Sequence, residues 1–186
     1  MKFRPLFLFV PALAVLFAAC SGLRGGSGFD SDKVSPHVLD MADDIAKEGF
    51  VGTQSIGRNP AVSPTHVLRM EFIRTATVEE LLEFLNHPSG VVKATAFEGL
   101  HAKGYTDLKQ SLLDLSEGDD VIRYIHGDVE YFLPLVEYAY TVVLGMTLER
   151  ESPAYAPVET VPIGLSATEK AFVENRILAV RSRIPS

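Results

Sequence analysis

The sequence predicts an all-α fold, on three observations. The first is a pair of capping boxes, Thr77-Val78-Glu79-Glu80 and Ser166-Ala167-Thr168-Glu169. In each, a hydroxyl accepts from one orphan backbone N–H and a Glu three residues on reaches back to another. The second is spacing: Val78, Leu81, Leu82 and Leu85 fall at i, i+3, i+4 and i+7, one face of a helix. The third is a repeat. A shift of thirty residues lays Val78 on Leu108, Leu82 on Leu112, Leu85 on Leu115, Val91 on Val121, Val92 on Ile122 and Lys93 on Arg123. That period lies in the range of stacked helical units.

Residues 1–19 read as a signal peptide. Lys2 and Arg4 give a positive start, and the apolar run 6–19 is broken by Pro11. The run is shorter than the roughly twenty residues a spanning helix needs. Phe17-Ala18-Ala19 puts small residues before Cys20, as a cleavage site requires. Cys20 is the only cysteine, so an exported form has no internal disulfide to make. This junction resembles the lipobox of bacterial lipoproteins, with Phe17 where Leu is usual. The resemblance implies a thioether-linked diacylglycerol on Cys20, cleavage before it, and acylation of the new amine, palmitate included. Several acyl chains anchor stably where one is marginal. By the same resemblance, Ser21 implies the outer membrane rather than the inner.

Residues 20–34 read as a flexible tether, Gly/Ser-rich and without periodicity from Ser21 to Lys33. They lack the Lys-Ser/Thr pair of a phosphate loop. Residues 35–184 are expected to form one helical domain, long enough to bury a core. Ser35-Pro36 starts its first helix, with Val38, Ala42 and Ile45 on one face and Gly49 at the end. Residues 50–63 are expected to be a surface loop. Their Gly52-Thr53-Gln54-Ser55-Ile56-Gly57 has one residue too many for a Ser nucleophile elbow. Ser63-Pro64 starts a second helix, with Val67, Met70 and Ile73 as its buried face. After the Thr77 helix, Pro88 breaks the pattern and Ser89 restarts it. Val92, Ala96, Phe97 and Leu100 make the next face, and Gly104 closes it.

Beyond Arg123 the repeat departs from its pattern. Val129, Phe132, Leu133, Val136, Tyr140, Val143 and Leu144 suggest a helix covering the far end of the stack. A strand is the competing reading, because residues 138–143 are aromatic and β-branched. Residues 151–164, with Pro153, Pro157 and Pro162, read as an irregular crossing. Phe172, Val173, Ile177 and Val180 make the last helix, with Arg181 and Arg183 at its negative end.

Residues 82–100 (LEFLNHPSGVVKATAFEGL) resemble a short HEAT-like repeat of the phycobilisome-lyase type. There a leucine helix ends at an Asn/Asp-Pro turn and a small-residue helix follows. The resemblance implies a fragment of an α-α superhelix, an architecture that serves scaffolds, adaptors and enzymes alike. The chain also resembles, in a general way, exported bacterial lipoproteins that carry one or two degenerate units of this kind.

The formal charge is −7, and the span from Asp107 to Glu137 holds eight acids against Lys109 and Arg123. Such a surface disfavours nucleic acid. The sharpest metal candidates are Asp119, Asp120, His126, Asp128 and Glu130, hard oxygens with one imidazole. Their spacing matches no calcium loop and no paired-His zinc motif. None of His37, His66, His87 and His101 has a visible Cys or Ser partner for a nucleophilic triad, and His87 is expected to lie exposed in the joint. Tyr124, Tyr131, Phe132, Tyr138 and Tyr140 are expected to pack in the core and its rim rather than line a groove. The expectation is a non-catalytic interaction or scaffold module of the bacterial cell envelope, with no cofactor. It would be held to the membrane by lipidated Cys20 and would bind a protein or peptide on its concave face. The alternative is a metal-dependent envelope enzyme using residues 119–130.

Overall fold

The computed structural model describes residues 28–57, 61–148 and 162–185. The signal peptide, Cys20 and most of the expected crossing lie outside the described residues.

Helix α4 (Gly90–Ala102) is the central one: α1 (Pro36–Glu48), α2 (Pro64–Thr75), α3 (Val78–Phe84) and α5 (Leu108–Glu117) all pack on it, around a core that includes Phe72, Leu81, Phe84, Phe97 and Leu100. Both capping boxes form: Thr77 caps α3, and Ser166 caps α7 (Ala167–Arg181). Gly49 and Gly104 take φ of 73° and 68°, the left-handed turn that closes α1 and α4. Gly99 lets α4 lie against α3, since a β-carbon there would stand 3.0 Å from both Leu81 methyls.

The all-α expectation is overturned by a three-stranded mixed sheet, order β1-β2-β3, of β1 (Val51–Ile56), β2 (Val121–Gly127) and β3 (Val129–Pro134). The expected loop 50–63 therefore contains a strand. It runs parallel to β2, with Val51 opposite Tyr124 and Gly52 opposite Ile125, and a bulge before Ile56 meets Gly127. The expected helix from Val129 is also corrected over its first half. Val121 pairs with Pro134, Arg123 with Phe132 and His126 with Val129 in an antiparallel hairpin. Its two-residue turn is Gly127-Asp128, where Gly127 takes the positive φ of 61° that a tight hairpin turn demands. Only from Leu135 does the chain coil, as the short α6 (Leu135–Glu137) running into a π-helical stretch, Tyr138–Val143.

Along β2 the burial alternates. Ile122 and Tyr124 face the core with Leu133, while Val121, Arg123 and Phe132 face out. Of the buried face expected for α2, Ile73 is buried and Met70 half-buried, but Val67 is 55% exposed, and Thr65, Arg69 and Phe72 complete the buried face. Residues 28–34, within the expected tether, make contacts of their own. Phe29 stacks on Phe84 at 5.4 Å and meets the His87 ring edge-on at 4.9 Å. The Glu83 carboxylate accepts from the Asp30 amide at 2.7 Å and pairs with Lys33 at 3.2 Å.

Candidate functional site: two clefts divided by Asp119 and Asp120

The acidic turn between α5 and β2 is held from both sides. From α7, Arg176 donates to the Ser116 carbonyl at 2.8 Å and to those of Glu117 and Gly118, so it caps the carbonyl end of α5. The same guanidinium pairs with Asp119 at 2.8 Å, and Arg183 meets the other Asp119 oxygen at 2.7 Å. The hydrogen bond from Arg183, helped by both positive charges, holds the Asp119 carboxyl below its ordinary range. Asp120 turns the opposite way and accepts from Lys93 of α4 at 2.7 Å.

The remaining metal candidates lie elsewhere on the hairpin. Glu130 pairs with Arg123 at 2.7 Å, and that bond holds its carboxyl low. His126 Nδ1 stands 3.2 Å from the Tyr124 hydroxyl, and Asp128 is exposed in the turn. The five residues expected as a metal set are thus spread over two faces, with three of them neutralised by cations. Among the described residues no group of three His, Cys, Asp or Glu is placed to hold a metal ion.

The two aspartates border separate clefts. Asp120 opens on a polar cleft of about 340 Å³ between α3 and α5, walled by Leu82, Leu85, Tyr105, Asp107 and Asp114. Asp119 borders an apolar groove of about 460 Å³ between the outer face of the hairpin and the end of α7. Val121, Phe132, Val180, Ile184 and Pro185 line it, with Arg183 at the rim. Of the aromatic group expected in the core, Tyr124, Tyr138 and Tyr140 are buried there, but Phe132 is 57% exposed in this groove.

A third polar constellation lies outside every expectation from the sequence. Arg69 is buried at 2% exposure. Its guanidinium donates to the Gly52 carbonyl at 2.8 Å, to Thr95 Oγ1 at 3.2 Å, to the Glu98 carboxylate and to the Tyr138 hydroxyl at 3.4 Å. Burial pushes the Tyr124 hydroxyl up to about 12, and burial with the Glu98 charge raises that of Tyr138 further. Both phenols therefore stay protonated. Among the described residues every buried side-chain polar atom has a partner, so the cluster is a closed structural seam. Its sequence signal is a cation on an otherwise apolar face, Arg69 at i with Phe72 and Ile73 at i+3 and i+4.

His87 is also corrected. It is buried, under Phe29 and beside Phe84, with Nδ1 accepting from the Ser89 amide at 3.1 Å. Burial lowers its pKa. Among the described residues no helix is long and apolar enough to cross a membrane. Compared with family models, curated proteins and solved structures, the chain matches none.

Proposed function

We propose that the protein is a lipid-anchored, non-catalytic module of the bacterial cell envelope that captures a protein partner in the groove between the hairpin and α7. The observation that carries this reading is Phe132, 57% exposed in an apolar concavity. A large aromatic in such a place contributes most when a partner excludes water from it, and the Asp119–Arg183 pair supplies the polar rim that surrounds such contacts. The leader and Cys20 support the address, with Ser21 favouring the outer membrane. The dispersal of residues 119–130 leaves a metal-dependent reaction without a gathered ligand set.

The test is cross-linking in intact cells from the rim of the groove, followed by capture with the purified, anchored protein. Phe132→Asp should weaken capture about tenfold or more, the loss typical of an aromatic anchor. Phe172→Asp, on an exposed stretch of α7 outside the groove, should leave it unchanged. Cys20→Ala should move the protein out of the membrane fraction. Equal effects from the two Phe variants, or no reproducible cross-link at all, would sink the reading.

A further inference from the structure

The polar cleft differs from the groove in what stands at its mouth. Gly28 is one of its lining residues. The segment after it is pinned in place: Phe29 on Phe84 and His87, Asp30 and Lys33 on Glu83, Ser35 on Glu80 at 2.8 Å. Gly28, the first described residue, is therefore held at the rim of this cleft, and residues 21–27 join the chain there.

The charges of cleft and segment are complementary. The walls carry Asp107, Asp114 and Asp120 against Lys93, and Lys93 is already paired with Asp120. Asp107 starts α5 without a side-chain capping bond, and Asp114 accepts from the neutral Gln110 amide at 2.7 Å. Among the described residues of the cleft, these two carboxylates thus have no cation opposite them. The segment Ser21-Gly22-Leu23-Arg24-Gly25-Gly26-Ser27 holds one charge, Arg24, and one large apolar side chain, Leu23. Arg24 is four residues before Gly28, a reach of up to about 14 Å at roughly 3.5 Å per residue. The cleft's apolar walls, Leu82, Leu85 and Leu115, stand beside the carboxylates, as a Leu-Arg pair requires. Its volume is in the range, from roughly 300 Å³ upward, that holds small ligands or side chains.

We infer that the cleft between α3 and α5 is the docking site of the chain's own segment around Leu23-Arg24, with the Arg24 guanidinium on Asp107 and Asp114. The docking itself does not depend on the anchored reading. Its consequence does: the eight steps along the chain from Cys20 to Gly28 could extend about 28 Å, and docking shortens that reach and holds the domain near its anchor. A basic partner segment would compete with Arg24 and release it.

The experiment uses the full-length protein, in cells and in detergent extract, with a photo-crosslinking phenylalanine at position 25. The expected product is an internal cross-link to α5. Arg24→Glu should lower its yield roughly tenfold, since like charges then face each other. Asp114→Lys added to Arg24→Glu should restore it, and raised salt should weaken it. Circular dichroism checks that each variant keeps its helices. A yield indifferent to Arg24→Glu, a cross-link to a second copy, or one to another protein would overturn the inference. None of these outcomes bears on Phe132 and the groove, so the two readings fail separately.

Discussion

The thirty-residue offset pairs two regions that begin alike and end differently. Thr77 and Asp107 each precede a helix, and matched leucines follow, Leu82 of α3 with Leu112 of α5 and Leu85, at the end of α3, with Leu115. Then Val91-Val92-Lys93 opens α4, whereas Val121-Ile122-Arg123 opens β2. The difference lies in the residues that come next. After Lys93 stand Ala94-Thr95-Ala96-Phe97, and every one of them is buried among neighbouring helices. After Arg123 stand Tyr124-Ile125-His126 and Gly127-Asp128, β-formers and then a hairpin turn. Three matched residues do not decide between coil and strand. The next four or five do, together with the partner that waits, here β1.

The largest expected effect is at the seam between the two regions. Arg69 joins α4, through Thr95 and Glu98, to the strand that pairs with β2, through the Gly52 carbonyl. Arg69→Ala strands these acceptors and should cost about 3–5 kcal/mol, read as the midpoint of urea unfolding. A loss below about 1 kcal/mol, within the range of ordinary substitutions, would mean that the halves hold together without it.

Next come substitutions made at matched positions. Gly99→Ala sets a methyl 3.0 Å from both Leu81 methyls; the crowding should outweigh the roughly 0.5–1 kcal/mol that a helical alanine gains over glycine and leave a net cost of about 1 kcal/mol. Its counterpart at the offset, Val129→Ala, lies on an exposed strand end and should change stability by less than about 0.5 kcal/mol. Thr77→Ala removes a formed cap and should cost about 1 kcal/mol. Asp107→Ala, at a helix start with no such bond, should be near neutral in thermal melts. Equal costs within either pair would erase the distinction between a closed helical unit and one that opens into a sheet.

Much of the helical half was legible, because caps and face spacing are local: the capping bonds of Thr77 with Glu80 and of Ser166 with Glu169 close within three residues. The sheet was only partly so. Two β-rich runs flanking Gly127-Asp128 are a hairpin signature in plain view, masked by the apolar spacing from Val129 to Leu144 that suggested a helix. β1 carried less. Val51-Gly52-Thr53-Gln54-Ser55-Ile56 has little of a strand's alternation and exists through a partner some seventy residues away. The clefts were the least legible, since each joins elements distant in sequence. Asp119 and Asp120 are adjacent in sequence and suggest one shared metal set, but the chain turns them to opposite sides.

The finest expected difference between the two regions is in acid. In the α3 half, Glu80 closes its capping box with the Thr77 amide at 2.8 Å and also accepts from the Ser35 amide at 2.8 Å. Burial works against the carboxylate, yet those hydrogen bonds hold its pKa below the ordinary 4.5. Its contribution is therefore present above 4.5 and is lost as pH falls through the lower folded value. His87 adds an earlier step. Burial lowers its pKa from 6.5, so the native state binds fewer protons than the unfolded chain and stability declines as pH falls below 6.5. Protonation would also remove Nδ1 as acceptor for the Ser89 amide. At the offset, Gln110 stands where Glu80 would be and cannot titrate. Amide exchange should then show α3 and the start of α4 opening before α5 between pH 6.5 and the acid limit. His87→Phe should remove the upper step and Glu80→Gln the lower one. Exchange that quickens equally in α3 and α5 would place the acid sensitivity in the whole fold rather than in its first unit.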